Sequence, residues 1–164
     1  MGKSRGFNFA LLMLAILAGC STEGQLTTTA PSNGKIVAGK VAALNVEASD
    51  PAVAAQLRGQ VATQLLGTGM FSSITGPTGE GADCTITVKL TKVDQVSGVS
   101  RVMFGALAGR NEIDGLVTVT DAKTNQTLRS FSFTGESAAH PFSGKSDIKD
   151  AEEKAAEEII LGLK

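Results

Sequence analysis

The sequence predicts one α+β domain in which two helices pack on one face of a mainly antiparallel sheet of four or five strands. Two observations lead to this prediction. Two segments repeat apolar residues at helical spacing along one side. Other segments alternate apolar and polar residues with the period of two that a half-buried strand requires. Their order along the chain is β-α-(β)-β-β-β-α.

The first nineteen residues have the composition of a secretory leader. Lys3 and Arg5 precede an apolar run over residues 7–17, and small residues follow it. This run of about eleven residues is much shorter than the ~20 that a helix needs to cross a bilayer. We therefore expect residues 1–19 to be a signal peptide that is removed.

The end of this leader, Leu17-Ala18-Gly19-Cys20, resembles the lipobox of bacterial lipoproteins at every position. The resemblance implies cleavage before Cys20, a diacylglycerol thioether on its sulfur, and palmitate-type acylation of the new amino terminus. Two or more acyl chains hold a protein stably on a membrane. Ser21 stands where lipoproteins retained at the inner membrane use Asp, which implies the periplasmic face of the outer membrane.

Composition limits what the processed chain can do. Without Lys3 and Arg5, thirteen basic residues face sixteen acidic ones, a formal charge of −3, and no nucleic-acid surface is expected. Trp and Tyr are absent, which disfavours aromatic platforms for carbohydrate. Acylation of Cys20 would leave Cys84 as the remaining thiol, so no intramolecular disulfide is expected.

The processed chain is predicted to begin with a flexible lipidated tether and to continue as a single periplasmic domain over residues 35–164. Residues 20–34 are rich in Thr, Ser, Gly and Gln and lack periodicity. A flexible chain of this length has a root-mean-square reach of roughly 20 Å.

A strand over residues 41–46 is followed by the first predicted helix. Asp50 is the expected N-cap and Pro51 fits the first helical position. We expect this helix to end at Gly67 or Gly69 and a short strand to follow at residues 70–74. The apolar stripe of the helix consists of Val53, Leu57, Val61 and Leu65.

Three strands with apolar and polar alternation are predicted in the second half of the chain. Residues 84–91 alternate most clearly, their phase breaks at Lys92, and Cys84 is expected to be a small core residue. Residues 112–121 and 127–135 form a predicted hairpin, with Asn125 in the left-handed conformation and Leu128 out of phase at a bulge.

The chain ends with a predicted loop over residues 138–145 and a second amphipathic helix capped by Ser146 or Asp147. Its buried stripe is expected to consist of Ile148, Ala151, Ala155 and Ile159. Its solvated face is expected to consist of Glu152, Glu153, Glu157 and Glu158.

Residues 97–110 are apolar and rich in glycine, and they allow two interpretations. The segment is either a connection folded under the sheet edge or an exposed loop that contacts lipid or a protein partner. For the second interpretation the candidate contacts are Arg101, Met103, Phe104, Leu107 and Arg110.

A family resemblance is carried by Ser100-Arg101, Gly105 and Gly109-Arg110, followed by a strand ending in Asp121-Ala122-x-Thr124-Asn125, an aromatic return strand and a terminal amphipathic helix. These features resemble a bacterial lipoprotein family catalogued as a domain of unknown function, family 4410, over about residues 44–163. Asn125 stands where the family's turn usually has Gly. The order of elements is also similar to periplasmic domains of envelope-assembly lipoproteins, which implies a protein partner.

Residues suited to catalysis are few in this sequence. His140 is the single His, and no Gly-x-Ser-x-Gly or Walker motif occurs. Glu112 and Asp114 share a strand face, but such a pair is common on strands. We expect no enzyme activity, no cofactor, no metal and no nucleic-acid partner. The expected function is that of an envelope adaptor anchored in the membrane; the alternative is a lipid- or small-ligand carrier with a cavity between sheet and helices.

Overall fold

The computed structural model describes residues 24–28, 36, 40–96, 109–137 and 148–164. Within these ranges the chain forms six strands and two helices. They are β1 (Gly24–Thr28), β2 (Lys40–Glu47), α1 (Pro51–Gly67), β3 (Phe71–Thr75), β4 (Cys84–Asp94), β5 (Glu112–Asp121), β6 (Thr127–Glu136) and α2 (Ile148–Leu163).

The strands form one mixed sheet in the order β1-β6-β5-β4-β2-β3. The pairs β1–β6, β6–β5 and β5–β4 are antiparallel, whereas β2 is parallel to both β3 and β4. A parallel neighbour requires a crossover, and α1 provides it between β2 and β3. The predicted α+β class with two helices is therefore confirmed, while the prediction of four or five mainly antiparallel strands is wrong in strand number and in the pairing of β2.

The additional strand, β1, lies inside the segment predicted to be a flexible tether. It pairs with β6 along its whole length, from Gly24 opposite Gly135 to Thr28 opposite Phe131. The tether prediction is wrong for residues 24–28. The sequence of β1 carries no apolar alternation, yet its threonines favour extended backbone because their Cβ atoms are branched.

One core fills the space between the sheet and the two helices. The strands contribute alternate residues, among them Leu44, Ile86, Val88, Val117, Phe131 and Phe133. The helices contribute Leu57, Val61, Leu65, Ala155 and Ile159, among others. Cys84 is 4% exposed in this core, as predicted, and burial raises the pKa of its thiol.

The second helix lies as close to the sheet as glycine allows. A Cβ placed on Gly135 would be 2.5 Å from the carbonyl oxygen of Ala151, and one on Gly162 would be 2.4 Å from the ring of Phe131. These contacts show that α2 runs antiparallel to β6. They also leave no space for a ligand between this helix and this strand.

Most local predictions are confirmed. The carboxylate of Asp50 accepts a hydrogen bond of 2.8 Å from the amide of Ala52 at the start of α1, which ends at Gly67. Asn125 has a φ of 57° in the β5–β6 turn. The sheet register shifts between Leu90 and Lys92, and again opposite Leu128. Ser146 and Asp147 lie outside the described residues.

The prediction for the solvated face of α2 is wrong at two positions. Glu152 is fully buried and Glu158 is 8% exposed, whereas Glu153 and Glu157 are exposed as expected. The buried face is wider than one stripe because α2 packs against both the sheet and α1. The additional apolar residues buried on this helix are Ala156, Ile160 and Leu163.

Candidate functional site at one end of the sheet

Of the predicted functional residues, the structure places Arg110. The others lie outside the described residues: Cys20, Arg101, Met103, Phe104 and Leu107. Arg110 directly precedes β5, and its Nη1 atom is 2.9 Å from Oε2 of Glu136 at the end of β6. The two side chains are 33% and 28% exposed. Arg110 is therefore half-buried in an ion pair that connects neighbouring strands.

The residue after Arg110 is a buried clamp that sequence reasoning missed. Asn111 and Ser137 are both fully buried. Oδ1 of Asn111 accepts a hydrogen bond of 2.8 Å from the amide of Val96. The hydroxyl of Ser137 accepts one of 3.0 Å from the amide of Asn111, whose carbonyl accepts one of 2.9 Å from the amide of Ser137. The clamp therefore joins the ends of β4 and β6 to the start of β5.

A signal for this clamp is present in the sequence. Asn111 continues the inward-facing alternation of Ile113 and Val117, and Ser137 continues that of Phe131 and Phe133. A polar residue in phase with a buried face must find a hydrogen-bond partner, because an unpaired buried polar group is costly. Two such residues at the ends of paired strands predict that they bond to each other or to nearby backbone.

The segment predicted to contact lipid or protein departs from and returns to this end of the sheet. The hydrogen bond between Val96 and Asn111 joins the residues on both sides of it. Gly109 has a φ of 92°, the left-handed region that favours glycine, and an added Cβ would be 3.8 Å from Cγ2 of Val96. The two ends of the segment are therefore held together by described residues.

Charged side chains at this end of the sheet are paired. Nζ of Lys92 is 2.8 Å from Glu112 and 3.1 Å from Asp94. The hydrogen bonds from Glu112 and Asp94 raise the pKa of Lys92 above its ordinary value. Asp114 accepts a hydrogen bond of 2.7 Å from the hydroxyl of Thr134. The carboxylates of Glu112 and Asp114 thus have separate structural partners.

Two open grooves lie beside α1. The first, of about 470 Å³, is lined by one side of α1, including Gln56, Gly59 and Gln60, and by Glu153 of α2. The second, of about 430 Å³, lies at the corner between β2 and α1 and includes Glu47 and Arg58. Neither groove lies between the sheet and the helices.

Two further searches cover the described ranges alone. Within them, no cluster of three or more His, Cys, Asp or Glu residues is arranged to bind a metal ion. No helix there has the length and apolar character required to span a membrane.

The mixed sheet with two helices on one face defines the protein as a small α+β domain with tied strand ends. Residues 38–141 match the family described as "Domain of unknown function (DUF4410)", and the chain belongs to this family. The match confirms the resemblance found in the sequence. It ends before α2, whereas the resemblance extends to about residue 163.

Solved structures share the fold at low sequence identity. The PelC dodecamer from Paraburkholderia phytofirmans is 14% identical, with a TM-score of 0.56, over 84% of this chain and 96% of that one. Protein XCC0632 from Xanthomonas campestris is 10% identical, with a TM-score of 0.51, over 83% and 88%. A putative lipoprotein from Caulobacter crescentus is 20% identical, with a TM-score of 0.40, over 73% and 86%. The first two likenesses show the fold alone. No curated protein matches the chain.

Proposed function

We propose that the chain is an outer-membrane lipoprotein whose periplasmic domain binds another envelope protein and catalyses no reaction. Leu17-Ala18-Gly19-Cys20 at the end of a short apolar leader supports the lipid anchor. Cys20 carries the lipid in this proposal, and Ser21 supports the outer membrane. Membership in the DUF4410 family assigns no activity, so the binding role is argued from the domain itself.

The packing of α2 on β6 is the observation that favours a binding module over a carrier. A carrier for lipid or a small ligand needs a cavity, most simply between sheet and helices. Along β6 that space is closed, because Gly135 and Gly162 already place helix and strand in contact. The core residues of α1, including Leu57 and Val61, are fully buried as well. A ligand could enter only if this packing were broken.

The sheet face opposite the helices supports a protein partner. Its side chains alternate with the core residues and are partly exposed. They include Thr85, Thr87, Thr118, Thr120, Ser132 and Thr134. Hydroxyl groups both donate and accept hydrogen bonds, and they can enter an interface without leaving a charge unpaired. The PelC relative is a dodecamer, so a second copy of this chain is one partner that the experiment must be able to detect.

Site-specific photo-crosslinking in cells tests the binding role. A photoreactive amino acid at Thr118, in the centre of the open face, is expected to form a covalent adduct with one envelope protein or with the chain itself. The matched control carries the same group at Gln56, an exposed position on α1. Equal adducts from both positions, or none from Thr118, would contradict a partner on this face. Lipid that copurifies with the Cys20→Ala variant would favour the carrier.

The anchor has its own test. Wild-type protein grown with labelled palmitate is expected to carry label and to fractionate with membranes, whereas Cys20→Ala is expected to do neither. A wild-type protein without label would contradict lipidation, whatever the crosslinking result.

A further inference from the structure

The first strand begins close to the proposed lipid attachment site. Four residues of chain separate Cys20 from Gly24, the first residue of β1. Even when fully extended, such a segment spans at most about 14 Å. Gly24 is hydrogen-bonded into the sheet through its pairing with Gly135. The position of the lipid is therefore tied to a defined part of the fold and not to a freely moving tether.

The pairing registers show where this attachment lies. Gly24 is opposite Gly135, Gly135 is opposite Ile113, and Ile113 is opposite Val93. These four residues form a row across β1, β6, β5 and β4, with about 4.8 Å between neighbouring strands. The starts of β1 and β5 and the ends of β4 and β6 thus form one end of the sheet, here called the anchor end. The buried clamp of Asn111 and Ser137 lies at this end.

The opposite end lies far from the attachment site. It contains the β5–β6 turn, in which residues 122–126 are exposed, and the last turn of α2 beside Phe131. The ten residues of β5, from Glu112 to Asp121, span about 31 Å at 3.4 Å per residue. This length is more than twice the longest reach of the tether.

We infer that the anchor end faces the bilayer and that the β5–β6 turn points away from it into the periplasm. This inference rests on the proposed lipidation of Cys20. Turning the domain over would raise Gly24 by about 31 Å above the lipid, and a tether that spans at most about 14 Å does not permit this. The open sheet face then stands at the side of the domain, accessible to a partner that approaches along the membrane surface.

The charges at the anchor end add little attraction to the membrane. Lys92 is paired with Asp94 and Glu112, and Arg110 is paired with Glu136. A basic patch would attract anionic lipid and would be weakened by salt. Because the cations here already have acidic partners, covalent attachment sets the orientation, and salt should leave it unchanged.

Fluorescence quenching on vesicles tests the orientation. The acylated full chain is labelled at Gln95→Cys, near the anchor end, or at Lys123→Cys, in the β5–β6 turn; both positions are exposed. Cys84 is buried and does not compete for the label. The vesicles contain phosphatidylcholine and phosphatidylglycerol with a quencher on a fraction of the headgroups. The label at position 95 is expected to lose most of its fluorescence and the label at 123 almost none, in low and high salt alike.

Each other outcome has a defined meaning. Equal quenching at both positions, or stronger quenching at 123, overturns the orientation. Flotation with the vesicles is recorded for the same samples, with Cys20→Ala as the control that should not float. If the wild-type chain does not float, lipidation fails; if it floats and both labels are quenched equally, the orientation alone is wrong.

A longer tether provides the matched variant. Ten Gly and Ser residues inserted after Ser21 add up to about 35 Å of reach and leave the fold unchanged. The difference in quenching between positions 95 and 123 should then fall, while flotation persists. An unchanged difference would contradict the short tether as the cause of the orientation.

Discussion

Two glycine-to-alanine substitutions should change stability in opposite directions. Gly135 lies in β6 beneath α2, and an added Cβ would be 2.5 Å from the amide nitrogen of Ala155 and from the carbonyl oxygen of Ala151. Both are backbone atoms, which cannot rotate away as a side chain can. The helix must therefore shift on the sheet, and overpacking of this kind costs about 1–3 kcal/mol in the free energy of unfolding.

Gly59 is the matched control in the middle of α1. An added Cβ would have no atom within 4 Å, so the substitution introduces no clash. Alanine restricts the unfolded chain and favours the helix by about 0.5–1 kcal/mol relative to glycine. We expect Gly59→Ala to be more stable than the wild type and Gly135→Ala to be less stable, with a difference of about 1.5–4 kcal/mol between them.

Urea denaturation of residues 20–164 in a Cys20→Ala background measures both effects. The midpoint should fall for Gly135→Ala and rise for Gly59→Ala without a change in slope, because neither substitution alters the surface exposed on unfolding. Wild-type stability of Gly135→Ala would refute the close packing of α2 on β6. The argument against an internal ligand cavity would then fail too.

Three further predictions concern single side chains. Asn111→Ala should lower the free energy of unfolding by about 1–3 kcal/mol, because the amide of Val96 loses its acceptor; Asn125→Gly, at a left-handed turn position, should be neutral by the same denaturation measurement. Asp50→Ala should cost about 1 kcal/mol and Asp50→Ser much less, since serine also caps helices; equal losses would contradict the cap. Hydrogen bonds from Thr124 and Lys123 lower the pKa of Asp121 in the folded chain, so its stabilisation should be complete above its ordinary pKa of about 3.9 and disappear as pH falls through the lower folded value. Asp121→Asn should remove this acid dependence in unfolding curves recorded across that range.

The elements that could be predicted are those with strong local signals. The start of α1 follows from Asp50 and Pro51, and its end from Gly67. The predicted bounds of β5 agree with the structure because its alternation is regular and a turn with Asn125 ends the hairpin strand. In these places each residue's preference and its neighbours favour the same conformation.

The features that could not be predicted depend on contacts between distant segments. β1 has no apolar face of its own and is extended because β6 offers a free edge. Glu152 follows an acidic pattern typical of a solvated helix face, yet α2 buries it because the helix packs on two sides. Of the candidate contact residues, the structure describes Arg110, and its pairing with Glu136 depends on the strand register.

The sequence by itself determined the leader, the lipobox that ends in Cys20, the chain order of most elements and the alternation of the central strands, because each is a signal over a few neighbouring residues. Only the tertiary structure decided that residues 24–28 join the sheet, that β2 is parallel to its neighbours, and that Asn111 and Ser137 bind each other. Strand pairing is a choice among edges far apart in sequence. That choice places the first strand within about 14 Å of Cys20 and so relates the fold to the membrane.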